Sequence, residues 1–146
     1  MIAHINPQHP NHEQTVPDHL KNTAQIARKL GCTLGMGNLA YIAGLYHDLG
    51  KWRNAFEIYI KRAVSDNSKK SHEKLNHSSA GAIYIYRRYY HGTDVERLTA
   101  QCICQAILSH HGLNDCLSPE GNDNFHKRVE SLGKLDYFFI IQFAQT

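Results

Sequence analysis

Histidine and aspartate stand side by side in the sequence HDLGK at residues 47–51. A neighbouring imidazole and carboxylate offer one nitrogen and one oxygen ligand to the same metal ion. Because the peptide between them is short, both groups can reach one ion only where a helix begins to unwind. Gly50 would permit that unwinding, since glycine tolerates left-handed dihedrals at a helix C-terminus. Lys51 would then place an ammonium group near whatever the ion binds.

Further histidines could complete such a site, namely His19, His77, His110 and His111. A single histidine is more often a hydrogen-bonded side chain than a ligand, so the inference depends on the whole group. Five imidazoles and one carboxylate exceed what one structural zinc ion needs. This surplus suits one or two catalytic ions of Mn, Fe, Co, Ni or Zn, which can activate water for phosphoryl transfer. Spacing alone leaves a phosphodiesterase, a phosphatase and a structural metal cluster open.

The composition is that of one globular domain of 146 residues with 42% hydrophobic residues and a formal net charge of +3. This mildly basic balance is compatible with nucleic acid but does not establish it. The chain contains 11 histidines, and neutral imidazole is the commonest metal ligand among side chains. The remaining six are interpreted as loop histidines without a role: His4, His9, His12, His72, His91 and His126.

The cysteines and the N-terminus indicate a cytoplasmic protein. No pair of the four cysteines has the C-x-x-C spacing of a zinc or redox motif. We therefore interpret them as reduced thiols. The first 17 residues resemble neither a signal peptide nor a transit segment, and no apolar run approaches the roughly 20 residues that span a membrane.

Apolar periodicity predicts an all-α bundle without strands. Residues 1–14 form an extended lead-in, and Thr15 caps a first helix that ends before Gly31. Asn38 caps the second helix. Further helices are predicted over residues 51–64, 77–90, 95–110 and 124–132, with a polar loop at 65–76 and an apolar tail at 135–146. The apolar face of the fifth helix comprises Leu98, Cys102, Ile103, Ala106, Ile107 and His110.

Three motifs in order resemble the HD superfamily of metal-dependent phosphohydrolases. They are HDLGK at 47–51, NHSSAGA at 76–82 and SHHGLNDCLSPEG at 109–121, preceded by His19. Their details are similar to the HD nuclease domain of the CRISPR-associated helicase-nuclease of type I systems. The likeness covers residues 18–132. It implies a helical HD-domain bundle and a metal-dependent nuclease that hydrolyses single-stranded DNA in antiviral defence.

The resemblance also implies roles for individual residues. The metal ligands would be His19, His47, Asp48, His77, His110 and His111. Asp48 and Lys51 would be catalytic, and Lys51 would assist at the phosphate together with Ser78 as a substrate-binding residue. The implied partners are single-stranded DNA, a superfamily 2 helicase domain or subunit and the CRISPR RNA-guided surveillance complex, with no membrane.

One departure concerns the C-terminal part of the chain. The family pattern ends with another metal-binding aspartate on a later helix, and Asp136 is the only late aspartate here. It does not stand in the familiar context, so we expect the chain to be C-terminally truncated and weakly active by itself.

Two alternatives stay open. One is a phosphohydrolase for a nucleotide or cyclic dinucleotide, although the Gly-Tyr-Pro motif of one such relative does not occur here. The other is a degenerate, non-catalytic HD module.

Overall fold

The computed structural model describes residues 1–6, 8–65, 77–112, 116–118 and 120–130. Most of the predicted loop at 65–76, the apolar tail at 135–146 and Asp136 lie outside these residues. The described chain begins with strands β1 (Ile2–Asn6) and β2 (His9–Thr15). Helices α1 (Val16–Cys32), α2 (Gly37–Tyr46) and α3 (Asn54–Ser65) follow, with a 3-10 helix (Leu49–Trp52) before α3. The last described elements are α4 (Ala80–Tyr89), α5 (Asp94–Leu108) and α6 (Asn124–Val129).

The predicted all-α bundle is confirmed, but the prediction that the chain has no strands was wrong. β1 and β2 pair in an antiparallel hairpin, with Ile2 opposite Thr15. Neither strand has the alternation of apolar and polar residues that reveals a half-buried strand. In β1, the consecutive residues Ile2 and Ala3 are both buried, and β2 is largely polar. The hairpin is therefore specified by its packing against the helices rather than by its local pattern.

The observed helix boundaries agree with the predicted ones at some helix ends and not at others. The Thr15 side chain accepts a hydrogen bond from the Asp18 amide at 3.2 Å, as predicted for an N-cap. α1 continues through Gly31, and α2 is preceded by Met36, so the predicted Asn38 cap was wrong. Asn38 instead lies in the first turn of α2. The predicted helix over 51–64 is interrupted at Arg53, whose backbone is extended.

α1 and α2 form a hairpin in which small residues let the two backbones approach. A Cβ added at Gly44 would lie 2.8 Å from the Cα of Ala24. α2 therefore lies directly against α1, and its C-terminal end is held beside the helix that contains His19. This contact fixes the relative position of two predicted ligands that are far apart in the sequence.

The described residues form two hydrophobic clusters. The larger one joins α4, α5 and α6 and includes Ile83, Ile107, Leu108, Phe125 and Val129. The smaller one joins the β1–β2 hairpin, α1, the 3-10 helix and α4. Its buried residues are Ala3, Val16, Leu20, Leu49 and Ala80. Tyr46 and Tyr84 stack with centroids 5.4 Å apart and pack against both clusters.

The buried face of α5 agrees only in part with the predicted one, because Ile103 and Ile107 are buried as predicted but three of the other predicted residues are exposed. Leu98 is 65% exposed, and Cys102 and Ala106 are exposed as well. The helix has apolar residues on two sides, so its sequence did not identify which side packs. The side against α4 and α6 comprises Ala100, Ile103, Cys104, Ile107 and Leu108. Two apolar residues of α1, Ile26 and Leu30, are likewise 60% and 68% exposed.

All four cysteines are free thiols. Within the described residues, no helix is both long and apolar enough to cross a membrane.

Candidate metal centre

The Asp48 carboxylate lies at the centre of the predicted histidines. Its Oδ2 atom is 3.1 Å from Nε2 of His19 and 3.2 Å from Nε2 of His47. Its Oδ1 atom is 3.2 Å from Nε2 of His110 and 3.5 Å from Nε2 of His77. His111 joins the group through His77, because their Nε2 atoms are 3.0 Å apart. The structure thus brings all six predicted ligands together.

The end of α2 positions the first pair of side chains. His47 is the C-cap of α2 and keeps helical dihedrals, whereas Asp48 leaves the helix with φ −114° and ψ 25°. The chain then enters the 3-10 helix, in which residues three apart lie one above the other. Lys51 is therefore placed over Asp48, with its Nζ 2.8 Å from Oδ2. The predicted unwinding is found at this point.

The predicted reason for Gly50 was wrong. Among the described residues, φ is positive only at Gly35 and Gly121, so Gly50 does not adopt a left-handed conformation. A Cβ at Gly50 would instead collide with the carbonyl oxygen of His77. Glycine is needed here because the backbone that follows Asp48 touches the backbone that bears His77.

The small residues after His77 let two backbone segments come into contact. A Cβ at Gly81 would collide with the carbonyl oxygen of Tyr46, and Ala80 and Ala82 are buried. The start of α4 thus packs against the end of α2, and this contact places His77 beside Asp48. Ser78 lies half-buried in the turn between His77 and α4.

Two imidazoles have their second ring nitrogen committed to a backbone carbonyl. His47 Nδ1 is 2.8 Å from the Gly44 oxygen, and His110 Nδ1 is 2.6 Å from the Ile107 oxygen. Since a carbonyl oxygen only accepts, each Nδ1 donates. In the neutral rings, Nε2 is then a bare acceptor that faces the Asp48 carboxylate. Such a hydrogen bond to the second nitrogen is usual for histidines that bind metal ions.

This arrangement fits a divalent cation. Two acceptors about 3.2 Å apart repel each other unless a proton or a metal ion lies between them. Asp48, His77, His110 and His111 each offer a ligand atom, and all of these lie within 4.8 Å of one another. Imidazole nitrogen and carboxylate oxygen together suit ions such as Zn, Mn, Fe, Co or Ni.

The titration of these groups agrees with such a site. Burial alone would raise the pKa of Asp48, but hydrogen bonds with His110, His19, His47 and Lys51 hold it far below its usual range. Burial opposes protonation of His110, yet its hydrogen bonds to Asp48 and to the Ile107 carbonyl raise its pKa overall. Burial and the neighbouring His110 and His77 lower the pKa of His111. Asp48 is therefore ionised, and His110 retains a proton more readily than His111.

His4 is a site residue that the sequence did not reveal. It was interpreted as a loop histidine, but β1 places its Nε2 3.0 Å from Nζ of Lys51. Its ring also contacts His19 edge to face, with centroids 4.6 Å apart. Burial and the Lys51 charge lower the pKa of His4 to about 4, so the ring is neutral. Because β1 was not predicted, nothing local indicated that His4 reaches the cluster.

The small hydrophobic cluster anchors the backbone beside several of these groups. Ala3, Leu20 and Leu49 are almost completely buried, and each is next in sequence to His4, His19 or Asp48. Their packing holds the three polar side chains on one side of the cluster.

A family model described as "HD domain" matches residues 16–132, which include all six predicted metal ligands. Comparisons with curated proteins and with solved structures gave no match.

Proposed function

The chain belongs to the HD domain family, and we propose that it is a metal-dependent nuclease that hydrolyses phosphodiester bonds in single-stranded DNA. Membership indicates a metal-dependent phosphohydrolase, and the histidine and aspartate cluster could hold the metal ion. The observation that supports the proposal most strongly is the single buried carboxylate of Asp48 with Nε2 atoms of four histidines within 3.5 Å.

The residues of the cluster would hold one or two divalent ions. A bound ion would supply Lewis-acid activation of water and of the scissile phosphate. The carbonyl groups of Gly44 and Ile107 fix the rings of His47 and His110, so that their Nε2 atoms stay directed at Asp48. The ionised Asp48 balances the positive charge brought into the site.

Lys51 is suited to the phosphate. Its side chain is 6% exposed and lies beside Asp48, while an aromatic ring, that of Phe56, lies 5.5 Å from its ammonium nitrogen. A buried ammonium group stabilises the negative charge that develops on phosphate oxygens during hydrolysis. Ser78, between His77 and α4, would donate a hydrogen bond to the same substrate.

The preference for single-stranded DNA is supported by the three sequence motifs and their order. They resemble the nuclease domain of type I CRISPR helicase-nucleases. In that setting the chain would act beside a superfamily 2 helicase and an RNA-guided surveillance complex. The net charge of +3 is compatible with a nucleic acid substrate.

A substrate panel tests the proposal. The purified chain would be incubated with single-stranded DNA, double-stranded DNA, mononucleotides and cyclic dinucleotides, each with Mn²⁺, with Ni²⁺ and with a chelator. We expect cleavage of single-stranded DNA that requires metal. Asp48→Asn should abolish it, whereas His126→Ala should not, because His126 pairs with Asp123 on α6 and lies outside the cluster.

Other outcomes would contradict the proposal in different ways. Hydrolysis restricted to mononucleotides or cyclic dinucleotides would show a nucleotide phosphohydrolase. Stoichiometric metal binding without hydrolysis of any substrate would show a degenerate module that keeps only its metal site.

A further inference from the structure

An apolar cavity lies between α2, α4 and α5. Its volume of about 430 Å³ falls within the range of about 300–1,000 Å³ that is usual for small-molecule sites. None of the six predicted metal ligands is among its described lining residues. The apolar lining includes Ile42, Leu45 and Tyr46 of α2, Ile85 of α4 and Ile103 of α5. A ligand of this cavity would therefore need an apolar body.

Two tyrosine rings belong to the lining. Tyr46 on α2 is half-buried, and Tyr89 at the end of α4 is 45% exposed. Burial and the neighbouring Tyr84 and Tyr89 raise the pKa of Tyr46, so its hydroxyl group stays neutral. The face of a tyrosine ring carries partial negative charge and attracts an ammonium group. The aromatic part of the lining thus favours a cation over an anion.

Glu96 supplies the one charged side chain among the described lining residues. The amide and hydroxyl groups of Thr93 donate to Oε2 of Glu96, each at 2.8 Å. These hydrogen bonds lower the pKa of Glu96 and hold its ionised carboxylate at the beginning of α5. The next residue, Arg97, pairs instead with Asp94 at 2.6 Å. The Glu96 carboxylate is therefore placed to pair with a cationic ligand.

We propose that this cavity binds a small amphiphilic cation, whose apolar body lies among the aliphatic side chains and whose ammonium group lies beside Glu96 and the tyrosine rings. The ligand is a free small molecule, in keeping with the cavity volume. The inference goes beyond the proposed function and does not rest on it. Occupancy of the cavity can be measured in the metal-free protein.

Three probes with the same eight-carbon chain and different head groups test the proposal: octyltrimethylammonium, octanol and octyl sulfate. Calorimetric titration of the metal-free chain would give the affinity and the number of bound probe molecules. We expect octyltrimethylammonium to bind at one site per chain and several-fold more tightly than octanol, with octyl sulfate the weakest. Methyl NMR would locate the site. The signals of Ile42, Ile85 and Ile103 should shift, whereas that of Ile26, which is 60% exposed on α1, should not.

Glu96→Gln tests the charge, because glutamine also serves at this position of a capping box. It should weaken binding of octyltrimethylammonium by about two- to fivefold, as for an exposed ion pair, and leave octanol binding unchanged.

A second variant tests the cavity itself. Ala100 is buried and lines the cavity, so Ala100→Phe should fill it and abolish binding of both probes. Leu98→Phe is the matched control, because Leu98 lies on the same helix but is 65% exposed and outside the lining. Circular dichroism would establish that each variant is folded. Thr99→Phe, at a half-buried lining position, would replace Ala100→Phe if that variant is not folded.

Several outcomes would overturn the inference. Equal affinity for the three probes, tighter binding of octyl sulfate, or unchanged binding of octyltrimethylammonium by Glu96→Gln would contradict a site for a cation. Absence of saturable binding, or methyl shifts at Ile26 but not at Ile103, would contradict a site in this cavity. Shifts of the cavity methyl groups on raising the protein concentration without a probe would show that a second copy covers them. Each of these results would leave the proposed nuclease function standing, because that function depends on other residues.

Discussion

Gly50 and His77 are in direct backbone contact, so close that a Cβ at position 50 would collide with the His77 carbonyl oxygen. Gly50 lies two residues after Asp48, and His77 is a proposed metal ligand. Their contact joins the end of α2 to the beginning of α4 without an intervening side chain. This backbone contact brings the two chain segments together, and Nε2 of His77 lies 3.5 Å from Oδ1 of Asp48.

Gly50→Ala should damage the metal site through this contact. Overpacking of a filled site costs about 1–3 kcal/mol of folding free energy. Displacement of His77 should also weaken metal binding by roughly tenfold or more, as for other groups that orient ligands. Calorimetric metal titration and thermal unfolding would measure both effects. Gly112→Ala is the matched control, because Gly112 is next to His111 but has open space around it. Equal effects of the two substitutions would contradict the argument.

His47→Ala and Asp48→Asn should each reduce metal-dependent hydrolysis by more than about 100-fold. Removal of a metal ligand should reduce activity more than removal of a residue that only orients a ligand. The two variants should differ in stability. The loss of His47 removes no charged partner of Lys51, so His47→Ala should leave the fold intact. Asp48→Asn removes the charge that pairs with the buried Lys51, and breaking such a pair costs about 3–5 kcal/mol. Denaturant unfolding of the metal-free proteins would measure the free energy of unfolding of each variant and so distinguish loss of activity from loss of stability.

Much of the site could be predicted because its ligands stand beside local features of the sequence. His47 and Asp48 follow an apolar helical run, and His110 and His111 precede a glycine at the end of another. The bundle itself followed from helical periodicity. Gly50 was correctly identified as necessary, but the sequence could not distinguish a need for left-handed dihedrals from a need for close approach.

The remaining features depend on non-local packing. His4 reaches the site only because β1 pairs with β2, and neither strand has a readable alternation. The predicted buried face of α5 correctly included Ile103 and Ile107, but it also included Leu98 and Cys102, which are exposed although they are as apolar as the residues that pack. In both cases a distant element, the hairpin partner or α4, determines which side chains are covered.

Metal binding should weaken in acid. Histidine ligands bind metal only when Nε2 is free, and the ordinary histidine pKa is about 6.5. The pKa of His110 is raised and that of His111 is lowered, so His110 is protonated before His111 as the pH falls. Affinity should therefore begin to decline near neutral pH and be lower at pH ~5 than at pH ~8. Calorimetry in buffers of different ionisation enthalpy should also detect proton release on binding at pH ~7. Equal affinities at both pH values would contradict a histidine-rich site.

A bound ion should stabilise the fold. Because the ligands come from α1, the end of α2, the start of α4 and the end of α5, the assembled site exists only in the native state. An ion at about 100 times its dissociation constant adds roughly 2.7 kcal/mol to the free energy of unfolding. Differential scanning calorimetry should show a higher unfolding temperature with Mn²⁺, reversed by a chelator. The increase should be lost in Asp48→Asn and retained in His126→Ala.

The orientation of α5, which places His110 beside Asp48, can be tested by two truncations to alanine. Ile103 is 5% exposed and packs in the large cluster, so Ile103→Ala should cost about 2–5 kcal/mol. Leu98 is 65% exposed, and Leu98→Ala should change stability by no more than about 0.5 kcal/mol. Both substitutions introduce alanine into the same helix. Urea unfolding monitored by circular dichroism would provide the comparison. A larger loss for Leu98→Ala than for Ile103→Ala would mean that α5 packs through the side that bears Leu98, and His110 would then have to approach Asp48 from a different direction.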